Sequence, residues 1–475
     1  MTRYTSITQR ELISCGREVD AVPGGDIVSA MNDAGPTGIK EMRASCVPGD
    51  RAVKRPNLLA CFLPLYVVIF VGFVGYSLMI TVFTPALMSN HNLLLPAGTA
   101  MSQRIVLLSF LLCLYPLGQF AGSPVLGSLS DRFGRKPVLL ISLAVTTACY
   151  ALIAWGLTVR SFALLAVACL LAGTAEANIV AAQSAIADVV RPEERNRFFG
   201  YIYMSVSSAY IVGPLVGGKL ADPKLVSWFN DATPFWAVLL LLVMTTAATA
   251  ALFRETNPPA SRCAVSLIQA FTNLKGVIVD GRLRSIYWLN FLFYFAIFGF
   301  FRCYPMYLVG HFHLGVSRVS ELIAWVGVPI VIANLWLTGF LAARIDTKTL
   351  TIWSASLTGV FMIAVVVVHP EGALWGTLFL TSGALALCLP ACATLLSRAA
   401  AEEEQGRVMG NNQALQVGAE ALSGFLGGLA AALMVELPLI LLGLLAIVAA
   451  MLLKFGTGRR KADRSSQILG TAMSE

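Results

Sequence analysis

"GSPVLGSLSDRFGRKPVLLISL", residues 122–143, sets four charges within six positions, Asp131 to Lys136, between two long apolar runs. A helix needs roughly 20 predominantly apolar residues to cross a bilayer, and both flanks meet that need. The charged stretch therefore reads as a short connection between two spanning helices. Its Arg132, Arg135 and Lys136 place it on the cytoplasmic side, where Lys and Arg collect in connecting loops. Orientation explains the basic residues. It does not explain Asp131, Gly127 or Gly134.

The same pattern runs along the 475-residue chain, which is 57% hydrophobic and 13% charged with a mean hydropathy of +0.74. A soluble domain carries about 25% charge, and no water-soluble core buries so large an apolar share. The fold class expected is an all-α membrane protein. Residues 1–57 are polar and mixed in charge, lack the apolar core of a signal peptide, and read as a cytoplasmic extension. Twelve apolar segments follow, at about 58–87, 104–128, 137–158, 161–189, 198–221, 234–253, 285–309, 318–342, 348–368, 372–397, 411–434 and 437–455. Basic residues cluster in alternate connections and again in the tail, 456–475, so both termini are expected in the cytoplasm. An even number of spans requires the same.

The longest hydrophilic interruption, 254–284, divides the spans into two sets of six, 58–253 and 285–455. Two internal matches support that division. "GSLSDRFGRK" from Gly127 pairs with "GFLAARIDTK" from Gly339, keeping Gly, Leu, Arg and Lys in register. "EERNRFFGYIYMSVSSAYIVGPLVGG", 193–218, pairs with "EEQGRVMGNNQALQVGAEALSGFLGG", 403–428, at nearly the same offset. A six-span unit used twice places two bundles about a pseudo-two-fold axis along the membrane normal, with a site between them.

Here a resemblance becomes specific. Gly127-x-x-x-Asp131-Arg132-x-Gly134-Arg135-Lys136 resembles the cytoplasmic signature between spans two and three of the major facilitator superfamily. Gly200-x8-Ala209-x3-Gly213-Pro214-x2-Gly217-Gly218 resembles the span-five motif of its antiporters, with Ala209 in place of one glycine. "AIADVVRPEERNRFFGY", 185–201, and "TPFW", 233–236, are similar to the drug/proton antiporter branch that includes the tetracycline exporters. The resemblance implies a latch of Asp131 and Arg135 completed by Asp188 at the end of span four. Two bland readings stand beside it: a loop that only sets orientation, and a kinked helix that only packs. Asp131 is further expected against a helix N-terminus.

The departures bear on mechanism. The branch carries an arginine in span four where this chain has Cys169, and an acidic residue in span one where it has Gly72. Ionisable groups inside spans are functional candidates by default. Glu176 and Gln183 share a face of span four, and Gln413, Gln416 and Glu420 form a stripe on span eleven. Asn290, Arg302 and Asn334 complete the candidates for proton coupling or the substrate cavity. Glu176 and Glu420 have a packing-only alternative. Arg302 has two open readings, lining the cavity or snorkelling to the interface.

The function these features imply is secondary active transport of a small organic molecule by alternating access, proton-coupled and leaning to export. The protein is expected to act as a monomer in a bacterial inner membrane. Uptake by symport or facilitated diffusion is the alternative, and a non-transporting sensor or assembly factor a remote one. No HExxH or GxSxG motif points to an enzyme. Gly213 to Lys219 has P-loop spacing, but Leu220 stands where a magnesium-binding Ser or Thr belongs. Neither a cofactor, a metal nor a nucleic acid is expected. The membrane-embedded cysteines read as small hydrophobes.

Overall fold

A computed structural model describes residues 58–88, 94–96, 98–176, 178–190, 192–256, 283–368, 370–399 and 405–472. The extension 1–57 and most of the central segment lie outside the described residues. The helices are α1 (Leu58–Met88), α2 (Met101–Phe133), α3 (Arg135–Val159), α4 (Phe162–Ala175), α5 (Asn178–Val189), α6 (Pro192–Leu220) and α7 (Thr233–Leu252). The second set is α8 (Arg284–Phe312), α9 (Val316–Trp325), α10 (Gly327–Ile332), α11 (Thr338–Ala342), α12 (Thr347–Val367), α13 (Ala373–Ala399), α14 (Gln405–Leu433) and α15 (Leu437–Ala472). Among the described residues, nine helices are long and apolar enough to cross a membrane. The remaining expected spans correspond to α4 with α5 (span four), α6 (span five) and α9 to α11 (span eight).

Two of the expected spans are locally irregular. Span four breaks at Glu176, whose backbone (φ −83°, ψ 7°) ends α4. Span eight stays helical from α9 through α11, its joints keeping right-handed helical backbone, and carries a π-helical turn at Ala333–Leu337 that holds Asn334. Two boundaries also move. α2 runs on through Asp131 and Arg132, so the connection to α3 is Gly134 alone. Gly134 has φ 104°, a backbone region open to glycine and closed to most other residues. α15 continues as helix to Ala472, where a polar tail was expected from residue 456.

Two seams join the first seven helices to the rest: α2 packs on α14, and α6 packs on α9 and α10. The repeated Gly-Gly pairs explain both. A methyl group on Gly218 of α6 would collide with Ser320 of α9, and one on Gly428 of α14 would collide with Ser109 of α2. Small residues let helices approach closely where no hydrophobic force drives them together. The internal repeat thus builds its two seams from matched positions. Large apolar side chains such as Ile141, Trp155, Trp336 and Phe455 are exposed on the outside, as lipid contact requires.

Candidate functional site

Charged and polar groups converge at two places: the Gly134 end of the bundle, and its buried centre.

At the Gly134 end, Arg135 is 7% exposed. Its Nε donates to Asp188 Oδ2 at 3.0 Å and its Nη1 to Ser130 Oγ at 2.7 Å and to Asp131. Burial would lower the Arg135 pKa, but Asp188 and Asp131 outweigh it and raise it above the ordinary value. The three predicted partners therefore meet, and all three belong to the first six spans. The α3 N-terminus holds a second carboxylate near it, Glu255. Glu255 accepts from the backbone N–H of Arg135 at 2.9 Å and of Lys136 at 3.1 Å. These donors have no partner within their own helix, and the macrodipole favours a carboxylate there. Sequence reasoning missed Glu255 because it lies about 120 residues downstream of its partners. Lys136 Nζ reaches the Ala250 carbonyl at 2.7 Å, tying the same turn to α7. Arg132 lies over the Phe133 ring.

The centre holds Arg302, 2% exposed, Glu176, 4%, and Glu420, 8%. Arg302 does not snorkel. Its Nη2 contacts Glu420 Oε1 at 3.2 Å and also donates to the Tyr76 hydroxyl, which in turn donates to Glu420. Its Nη1 donates to the Leu112 carbonyl at 2.5 Å. The guanidinium carbon lies 5.2 Å from the Tyr76 ring centroid, a cation–π arrangement. Tyr76 stacks on Tyr115 at 4.4 Å between centroids, and Tyr115 donates to Glu176. Arg302 and Glu420 come from α8 and α14; Tyr76, Tyr115 and Glu176 come from α1, α2 and the end of α4. One polar chain thus crosses from one half to the other.

Glu176 fills the space left by Gly72, where any side chain would strike its carboxylate. The position that lacks the acidic residue of span one is therefore covered by a carboxylate from span four. Glu176 Oε1 has no hydrogen-bond partner among the described residues, and neither has the hydroxyl of nearby Tyr150. Groups buried so fully are normally satisfied.

The remaining candidates divide. Gln413 and Gln416 are half-buried on α14, two turns and one turn before Glu420. Gly424 continues the stripe beneath Arg302, and Gly427 meets Cys303. Asn290 does not join the centre: its amide donates to Asn412 at 3.0 Å and to the Cys392 carbonyl at 3.3 Å, a packing contact among α8, α13 and α14. Asn334 is exposed on the π turn, apart from the network. The Gln183 side chain and the surroundings of Gly200 lie outside the described residues. In α6, Gly213 faces Ser77 and the Val74 carbonyl, and Gly217 faces Leu78, so the Pro214 region packs on α1. No group of three or more His, Cys, Asp or Glu able to hold a metal occurs among the described residues. A further ion pair was not foreseen. Lys219 at the end of α6 contacts Glu321 of α9 at 2.6 Å and Ser317 at 2.9 Å, across the second seam.

A helical fold with two matched seams and a charged chain between its halves defines a membrane transporter that works by alternating access. The sequence profile of the Major Facilitator Superfamily matches residues 65–315 and 286–471, and the chain belongs to that family. It is 27% identical over 304 residues to the class H tetracycline resistance protein of Pasteurella multocida, covering 63% of this chain and 73% of that one. It is 25% identical over 396 residues to multidrug resistance protein 2 of Bacillus subtilis (strain 168), covering 82% and 92%. Among solved structures, the human organic anion transporter MFSD10 (TETRAN) superposes with a TM-score of 0.64 at 19% identity, over 84% of this chain and all of that one, 100%. A D-xylose-proton symporter gives 0.66 at 14%, over 83% and 97%. These two show the fold. The chain is a multi-pass secondary transporter.

Proposed function

We propose that this transporter exports a small organic molecule in exchange for protons, across a bacterial inner membrane with both termini in the cytoplasm. The bundles that alternate are 58–253 and 285–455. The observation that carries this reading is the pair of buried carboxylates on opposite halves, Glu420 paired with Arg302 and Glu176 bonded to Tyr115, whose ring stacks on Tyr76. With both ionised, the centre has one negative charge more than it has positive. An uncompensated charge buried this deeply is costly, and binding a proton or a cationic group relieves it. Exchange of one for the other as the halves rock is antiport. The relatives named for tetracycline and multidrug resistance support export. Asp131, Arg135 and Asp188 act as the latch at the cytoplasmic end in this reading, and the Gly-Pro and Gly-Gly positions of α6 set its bend.

The test is flux in proteoliposomes under an imposed pH gradient, with tetracycline as the first probe. Outward movement driven by inward protons, lost when Glu176→Gln and Glu420→Gln are both introduced, is the expected result. Movement of substrate with the protons replaces export by uptake. Unchanged coupling in both single variants and in the double variant removes the carboxylates from the mechanism.

A further inference from the structure

The feature that the transport reading does not use is the bond from Arg302 to a backbone carbonyl. Leu112 lies four residues before Pro116 in α2. Proline has no N–H, so the carbonyl four residues earlier loses its helical partner. In lipid such a carbonyl has no water to turn to. Arg302 Nη1, from the other half of the molecule, supplies the missing donor at 2.5 Å. The same guanidinium holds Tyr76 and Glu420. Its planar fork serves three acceptors at once, which a lysine ammonium does not match in geometry.

The contact lies one helical turn deeper than Ser109, which meets Gly428 and lies 3.9 Å from Met306 Sδ. It therefore belongs to the α2–α14 seam, toward the end of the bundle at which Lys219 and Glu321 meet across the second seam.

The geometry points to Arg302 as an inter-half clasp that holds the Lys219 end closed, with the orphaned carbonyl of Leu112 as its strike plate and Glu420 as its release. This inference rests on the proton-coupled reading only for the release. The groups that face the Arg302–Glu420 pair are Tyr76 from α1, Cys113 from α2, Tyr210 from α6 and Cys303 on α8 itself. None of them carries a compensating carboxylate. When Glu420 takes up a proton, Arg302 loses its counter-charge and keeps only neutral acceptors. The bond to the Leu112 carbonyl breaks when the Lys219 end opens, and that carbonyl becomes available to entering water.

The proposal separates two roles of Pro116, bending α2 and exposing a carbonyl. Pro116→Ala returns an N–H to the turn and gives Leu112 an internal partner. Arg302→Gln combined with Glu420→Gln removes the clasp without stranding a charge. Pro124→Ala, two turns further along α2, is the control. The readout is hydrogen exchange of the full-length protein in lipid nanodiscs, followed by mass spectrometry.

Pro116→Ala and the double variant are expected to raise exchange in residues 105–115 and 424–433 by roughly ten-fold, the scale of one hydrogen bond to a charged group. Residues 127–136 should not speed up, and Pro124→Ala should behave as wild type. Exchange that is unchanged in the double variant overturns the proposal. So does a rise spread evenly over all helices, which marks a structural role only. Lowering the pH should reproduce the rise in wild type and not in the double variant; failure of that arm alone removes Glu420 as the release. None of these readouts needs a substrate, so failure of the export reading would be seen separately, in flux.

Discussion

The rings of Tyr76 and Tyr115 stack 4.4 Å apart, and each hydroxyl donates to a different carboxylate, Glu420 on one half and Glu176 on the other. The two tyrosines thus connect the candidate proton sites through one aromatic step. Tyr115→Phe keeps the ring and removes only the hydroxyl that serves Glu176. Proton-driven flux is expected to fall three- to ten-fold, the scale of about 1 kcal/mol for one hydrogen bond. The thermal midpoint should move little. Equal flux with and without the hydroxyl, measured across a series of pH values, would leave the tyrosine as packing.

At the Gly134 end, Arg135 lies between Asp131 and Asp188. Arg135→Gln leaves two carboxylates facing each other across a half-buried space. A loss of about 1–3 kcal/mol is expected, read as a lower midpoint in detergent. Asp131→Asn should cost less stability, because Asp131 is the more exposed partner, yet slow transport. Transport at the wild-type rate would reduce the stretch to a topological anchor.

Glu255 caps α3 through two backbone N–H groups. Glu255→Gln keeps an acceptor and removes the charge that favours a helix N-terminus, for an expected cost of about 0.3–1 kcal/mol. Glu255→Ala removes both and should cost about 1–2 kcal/mol. The order of the two midpoints is the check, and high salt should narrow the difference between Gln and wild type.

Asp231 lies in the connection between α6 and α7, outside the spans, and burial pushes its pKa up to about 6. A folded-state pKa above the usual carboxylate value means that the folded protein holds the proton more tightly than the unfolded chain. Asp231 therefore lowers stability as pH rises from about 4 to about 6, and the cost persists at neutral pH. Asp231→Asn is expected to raise the midpoint at pH 7.5 and to leave it unchanged at pH 4. An equal shift at both pH values would assign the effect to something other than ionisation.

Lys219 and Glu321 pair across the second seam while partly exposed, so the pair adds only about 0–1 kcal/mol to stability. Its expected effect is on the rate of opening. Lys219→Glu should speed opening of that end and lower flux. Adding Glu321→Lys should restore the rate only in part, because Arg318 lies 3.2 Å from Glu321 and would face a second cation.

Much of this was legible in the sequence because it depends on local or repeated patterns. Apolar length set the spans, alternating basic loops set the expected orientation, and the repeat of 193–218 in 403–428 set the two halves. The signature at Gly127–Lys136 named Asp131 and Arg135, the family resemblance implied Asp188, and the structure brings all three together. Glu176 and Glu420 stood out because an ionisable residue in an apolar run is costly wherever it points.

What the sequence could not decide was which distant groups meet. Arg302 had two readings from its position alone, since a side chain near the end of an apolar run reaches the interface or the interior equally well. Only the packing of α8 against α2 and α14 turned it inward, onto Glu420 and the carbonyl that Pro116 leaves open. Asn290 looked like a companion of that site and proved to be a contact within its own half. The sequence by itself determined the membrane-spanning, two-fold repeated architecture, because those follow from composition and period. Tertiary structure decided the partners, because a buried charge settles where helices far apart in the chain supply its counter-charge and hydrogen bonds.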